Sequence, residues 1–166
     1  MKILLSLLFC LSLILPGFAK NADKPLAQSF SATTLDGRNF KLEDLRGKVV
    51  VLTFWSTRCA ICNAEIPKYN QLADKYAGKN VVFLALTMEN EVMVGNYLKK
   101  KPFKFTIVPN SLGAIMQYAD KNPNGSFNLA YPTTYIINKK GEVELKTSGR
   151  KSQAIDETVS RLLGIG

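Results

Sequence analysis

Apolar and polar positions recur on two different periods along this chain, and the switches between them mark its elements. Val49 to Phe54, "VVVLTF", is an unbroken apolar, β-branched run, the pattern of a strand buried on both faces. From Cys59 to Tyr76 the period lengthens, with Ile66, Tyr69, Leu72, Ala73 and Tyr76 recurring at spacings of three and four as one helical stripe. Pro67 falls inside that stripe and is expected to kink it, because it has no N–H for the carbonyl of Asn63; Gly78 ends it. Val81 to Thr87 reads as a second buried strand, Glu91 to Lys100 as a helix, "FKFTIV" as a short extended piece and Leu112 to Ala119 as a short helix. After the turn-rich "KNPNGS", "TTYIIN" and "EVELKTSG" form a hairpin around "KKG". Ser152 is placed as the cap of a last helix whose Ile155, Val159 and Leu162 share a face. Ahead of all this, two short strands turn at Asp36-Gly37, and a further turn falls at Gly47. Parallel strands joined by helices and closed by an antiparallel hairpin predict an α/β fold. It has a central mixed sheet flanked by helices and an N-terminal β-hairpin extension.

The N-terminus follows a different pattern. Lys2 precedes the apolar "ILLSLLFCLSLIL", Pro16-Gly17 breaks it, and "GFA" ends at Ala19 in a small-x-small site. Residues 1–19 therefore read as a secretory signal peptide. The run is short for a span, which needs about 20 residues, so cleavage is favoured over an uncleaved membrane anchor. Residues 20–27 read as a flexible lead-in and 28–166 as one domain, a division that suits a chain of 166 residues.

Export changes the meaning of composition. Cys10 leaves with the apolar run, so the mature chain carries only Cys59 and Cys62, in a compartment where disulfides persist. The formal charge of +9 is scattered, apart from "KKK" at Lys99 to Lys101. It reads as a solvated lysine face, and export argues against nucleic acid as a partner. The chain has no histidine, which removes the commonest metal ligand and the commonest general base.

The chemistry is concentrated in "FWSTRCAICNAEIP", Phe54 to Pro67. A structural zinc site needs four ligands, and two cysteines with no histidine do not supply them. A purely structural disulfide across so short a loop would constrain the unfolded chain little. A redox dithiol is the reading that fits C-x-x-C between a strand and a helix. Cys59 lies where the helix begins, so helix N–H groups, the dipole and the adjacent Arg58 all favour its thiolate. Cys62, one turn on and deeper, can resolve a mixed disulfide at Cys59. Glu65, a further turn along, could carry a proton to and from Cys62; on spacing alone it could equally be a surface glutamate.

"WSTRCAICNAEIP" resembles the motif of the thioredoxin-like thiol-disulfide oxidoreductases of the TlpA/ResA/DsbE type, roughly F-W-x-x-W-C-x-P-C-x-x-E-x-P. The resemblance extends through "DGRNFKLEDLRGKVVVLTFW" upstream and "YPTTYIINKKGEV" downstream. It implies a thioredoxin-like fold, Cys59 as exposed nucleophile, Cys62 as resolving partner and Glu65 as the glutamate kept beside the dithiol. It further implies Trp55 as an aromatic next to the active site, and Pro132 as a cis proline facing the dithiol. The backbone of Tyr131 would then pair with a bound partner's extended chain. Arg58 and Ile61 depart from the pattern, standing where tryptophan and proline are usual. No cofactor and no metal are implied. The implied partners are disulfide-containing proteins, among them apocytochrome c, and a membrane thiol-electron donor of the DsbD/CcdA kind; the membrane itself enters only through an N-terminal anchor. The implied role is that of an extracytoplasmic, periplasmic protein disulfide reductase. Rival readings are a peroxiredoxin, from which Thr57 and Leu52 depart in spacing and type, a copper chaperone, which needs a distal histidine, and a noncatalytic interaction module.

Overall fold

The computed structural model describes residues 24–165. The signal peptide expected at 1–19 lies outside the described residues. The chain forms β1 (Ser31–Thr33), β2 (Asn39–Lys41), a 3₁₀ turn at Leu42–Leu45, β3 (Val49–Phe54), α1 (Ala60–Lys75), β4 (Val81–Leu86) and α2 (Glu91–Leu98). It continues through β5 (Thr106–Val108), α3 (Leu112–Tyr118), β6 (Asp120–Lys121), β7 (Phe127–Asn128), β8 (Thr133–Ile137), β9 (Val143–Ser148) and α4 (Ser152–Leu163). Five strands make the central sheet in the order β5-β4-β3-β8-β9. β3 pairs in parallel with β4, and β4 with β5, while β8 and β9 run antiparallel. This is the mixed sheet the sequence predicts, with the β1–β2 hairpin beside it.

The alternation of a strand sorts β3 between two cores. Val49, Val51 and Trp55 face one side, packed with Cys62, Ile66, Tyr69 and Leu72 of α1, Val94 of α2, and Ile155 and Val159 of α4. Val50, Leu52 and Phe54 face the other, packed with Phe30, Leu42 and with Ala114, Ile115 and Tyr118 of α3. Burying β3 on both faces explains its continuous apolar run. It also fixes the strand's carboxyl end, where the dithiol begins.

Two local expectations are corrected, at Ser152 and at 120–128. The described part of the 20–27 lead-in is tied to the hairpin at the far edge of the sheet. Leu26 bridges to Glu142, Ala27 N–H donates to Gly141 O (3.0 Å), and Val143 N–H donates to Pro25 O (2.8 Å). Ser152 is the first helical residue of α4 rather than its cap; Lys151 holds that position and no side chain caps it. The turn-rich 120–128 segment carries its own small hairpin, β6–β7, because Asn122, Asn124 and Ser126 bond among themselves to close the turn. No helix among the described residues is long and apolar enough to cross a membrane.

Candidate active site

Cys59 closes the loop between β3 and α1 as the N-cap residue of α1, with extended backbone and its sulfur accepting from the Cys62 N–H at 3.1 Å. The cap position normally belongs to a hydroxyl or carboxylate, and here sulfur fills it. The same N–H that stabilises the helix end is therefore presented to the reacting atom. Cys59 and Cys62 form a disulfide, with Cα atoms 5.2 Å apart. The two sulfurs differ in access. Cys59 is half-buried, while Cys62 is 1% exposed and belongs to the core on the α1 side.

Opposite the dithiol runs the loop before β8. The Tyr131–Pro132 peptide is cis, and the Tyr131 carbonyl oxygen lies 3.6 Å from the Cys59 sulfur. The Tyr131 phenol is buried without a hydrogen-bond partner; burial raises its pKa, and the charge of Glu89 raises it further. Thus Cys59, Cys62, Tyr131 and Pro132 meet in one place, although more than 60 residues of sequence separate the two halves.

Glu65 sits one turn below Cys62 and is 1% exposed, so it is no surface glutamate. Its Oε1 accepts from Lys68 Nζ at 3.0 Å, and its Oε2 is buried with no hydrogen-bond partner. Trp55 is also 1% exposed, with its ring 5.5 Å from that of Tyr97 and 5.3 Å from that of Phe103. It lies in the core on the α1 side, and its ring is closed to a client. The Arg58 side chain is exposed, and the Arg58 backbone N–H donates to Ser56 Oγ (3.2 Å).

The sequence reading passes over Glu89, just beyond β4. Its carboxylate accepts from Thr57 N–H (2.9 Å), Thr57 Oγ1 (2.7 Å), Ser56 Oγ (3.1 Å) and Thr87 Oγ1 (3.2 Å). Burial pushes this carboxyl up, but the bonds from Thr57, Ser56 and Thr87 outweigh it and hold the group below its ordinary range. Asn63 completes the clamp: its Nδ2 donates to the Thr57 carbonyl (3.2 Å) and its Oδ1 accepts from the Tyr97 hydroxyl. The Ser56–Cys59 turn, closed by Cys59 N–H to Ser56 O at 3.1 Å, is thereby held from both sides. A signal existed in "LTMEN": an acidic residue just past the carboxyl end of the strand next to the cysteine strand, where α/β sheets gather their chemistry.

A two-cysteine centre with one accessible sulfur at a helix start and one buried sulfur is built for thiol–disulfide exchange. Known proteins agree. The AhpC/TSA family model matches residues 25–146. Thiol-disulfide oxidoreductase ResA of Bacillus cereus is 34% identical over 128 residues, covering 76% of this chain and 70% of that protein. The solved thiol:disulfide interchange protein of the thioredoxin family from Chlorobium tepidum is 28% identical with a TM-score of 0.71, covering 87% of this chain and 99% of that one. The exposed lipoprotein thioredoxin of Streptococcus pneumoniae is 26% identical with a TM-score of 0.66, covering 81% and 100%. The chain belongs to the AhpC/TSA family and is, within it, a thioredoxin-like thiol-disulfide oxidoreductase of the ResA/DsbE type.

Proposed function

We propose that this protein is an extracytoplasmic protein disulfide reductase that works through a mixed disulfide at Cys59. The observation that carries the proposal is the asymmetry of the dithiol, with the Cys59 sulfur at the start of α1 beside the Tyr131 carbonyl and Cys62 shut in the core. In the reduced protein the Cys59 thiolate attacks one sulfur of a client disulfide. A Cys59–client bond forms, and the second client sulfur leaves as a thiolate and takes up a proton. Cys62 then gives its proton to the Glu65 carboxylate, and its thiolate attacks the Cys59 sulfur. The Cys59–Cys62 disulfide forms, and the first client sulfur leaves. The client gains two electrons and the dithiol loses two, so each cycle needs a dithiol donor to restore it. A membrane thiol transporter of the DsbD/CcdA kind fills that role, and apocytochrome c awaiting haem is the client we propose.

Ile61, 42% exposed between the cysteines, and Met88, 42% exposed beside Glu89, offer apolar surface next to the dithiol for an extended client chain. The backbone at Tyr131 is placed to pair with that chain by strand addition. The signal-like residues 1–19 support an extracytoplasmic address, and the likeness to an exposed lipoprotein thioredoxin suits it.

Disulfide reductase turnover by the purified protein should vanish in Cys59→Ser; retained turnover would sink the proposal. Alkylation trapping in cells tests the direction, since a reductant supplied by a membrane donor is held mostly as the dithiol. A mostly oxidised pair would assign an oxidase or isomerase role instead. Consumption of peroxide at rates above those on disulfides would move the protein to the peroxidase branch of its family.

A further inference from the structure

Four polar side chains are buried together between α1 and the sheet, in a layer that is otherwise apolar. Glu65 and Tyr69 stand one turn apart on the inner face of α1, 1% and 2% exposed. Thr53 of β3 and Thr134 of β8 are register partners across the strands, and both are buried. By the alternation of β3 and β8 they share the face of Val51, Trp55 and Ile136, the face α1 covers. Their hydroxyls lie 3.1 Å apart. The Tyr69 phenol is pushed up to about 12, first by burial, with the Glu65 charge adding to it and the neighbouring Thr134 hydroxyl opposing it. The Thr134 hydroxyl thus lies near the phenol without meeting hydrogen-bond geometry.

Two of these groups lack a partner where partners are most needed. Glu65 Oε2 and the Tyr69 hydroxyl are both buried without a hydrogen bond. Buried polar atoms of folded proteins are paired with protein or with ordered water, and a buried water typically makes about three bonds. One water reaching Glu65 Oε2, the Tyr69 hydroxyl and a threonine hydroxyl would complete each of them.

We propose that Glu65, Tyr69, Thr53 and Thr134 hold one ordered water, and that Tyr69, through it, positions the Glu65 carboxyl for proton exchange with Cys62. The proposal rests on the reductase reading above and deepens it. When Cys62 gives up its proton, Glu65 takes it, and the water and the two hydroxyls reorient from donating toward the carboxylate to accepting from the carboxylic acid. The buried carboxyl then has hydrogen bonds in both of its states. On α1 the carboxyl accepts from the Lys68 ammonium, with Tyr69 one turn on and Cys62 one turn back, and β3 and β8 bring only the uncharged Thr53 and Thr134. The charged groups of α4 and of the 102–104 segment meet α1 further along, at Asp74, Lys75 and Tyr76. Tyr69 is thus a positioning residue, acting on Cys62 only through Glu65.

The experiment is the pH profile of kcat/KM for disulfide reduction in the parent, Tyr69→Phe, Thr134→Val, Glu65→Gln and the Glu65→Gln/Tyr69→Phe double variant. Tyr69→Phe removes a hydroxyl that has no protein partner and keeps the ring, so its melting temperature should hold. Its profile should move to higher pH by about half a unit, the order of one lost hydrogen bond. Thr134→Val should move it the same way, and serves should Tyr69→Phe fail to fold. In the Glu65→Gln background, Tyr69→Phe should produce no further shift. An unshifted Tyr69→Phe profile overturns the proposal, and so does an equal shift with and without the Glu65 carboxylate. An unshifted Glu65→Gln profile overturns the reductase role of Glu65 itself, a separate failure. A crystal structure should show one water bonded to both Glu65 and Tyr69; a dry, directly packed site overturns the water.

Discussion

Two carboxylates flank the dithiol, and they are held in opposite ways. Glu65 is 1% exposed, takes one bond from Lys68 and has no protein partner for its other oxygen. Glu89, half-buried, takes four bonds, three of them from the turn that delivers Cys59. A carboxylate saturated with donors is stabilised as an anion and stays one, which makes it a poor proton carrier and a good anchor. A carboxylate with a single protein donor, one turn along the helix from a buried thiol, is placed to exchange a proton with it. One site therefore uses the same functional group for reactivity behind Cys62 and for geometry ahead of Cys59.

The comparison breaks first at Glu65. Glu65→Gln should slow steady-state disulfide reduction by about a hundredfold, the lower end of the range for a lost general acid–base, with little change in melting temperature. A Gln variant with parental turnover would remove Glu65 from the proton path. Glu89→Ala should do the reverse. Chemical denaturation should show a loss of about 2 kcal/mol, because hydrogen bonds to a charged acceptor contribute about 1.5–3 kcal/mol each and part of the turn rehydrates. Turnover should fall less than in Glu65→Gln.

Lys68→Ala sharpens the Glu65 side. Lys68 is 54% exposed, so the pair behaves as a screened surface contact at one end, but the change removes the protein donor to a buried carboxylate. A loss of about 1 kcal/mol in denaturant titrations is expected, while an unchanged midpoint would mean the contact contributes nothing. The smallest effect is the pH dependence of stability. The folded pKa of Glu89 is depressed, so its contribution is present above the unfolded value of about 4.3 and is lost as pH falls from there through the folded value. Glu89→Gln should flatten the acid limb of melting temperature against pH in that window and leave neutral stability changed only by the lost bonds. An equally steep limb would assign the acid loss to other depressed carboxyls, such as Asp156 and Glu144.

The architecture was legible because it rests on local patterns. "VVVLTF" and "VVFLAL" are too apolar for any place but a sheet covered on both sides, and the stripe Ile66-Tyr69-Leu72-Tyr76 needs a core to face. The dithiol was legible for the same reason, since its spacing and its place before a helix are both sequence properties. The small β6–β7 hairpin and the seating of Pro25 to Ala27 on Gly141 to Val143 were not, because they depend on backbone pairing that leaves no apolar period. Nor was the rank of Trp55: a tryptophan beside a cysteine motif can face either way, and the register of β3 turns it inward.

By itself, then, the sequence determined a five-strand α/β framework and a reactive sulfur pair at one strand's carboxyl end. It could do so because hydrophobic period and C-x-x-C spacing are short-range. Only the tertiary structure decided which glutamate is buried, which one anchors the turn, and that Thr53 and Thr134 pair on the sheet face α1 covers. Those relations join α1 to β3 and β8, and β4 to the Ser56–Cys59 turn. Burial and unmet hydrogen bonds are properties of the packed chain, so no stretch of residues carries them alone.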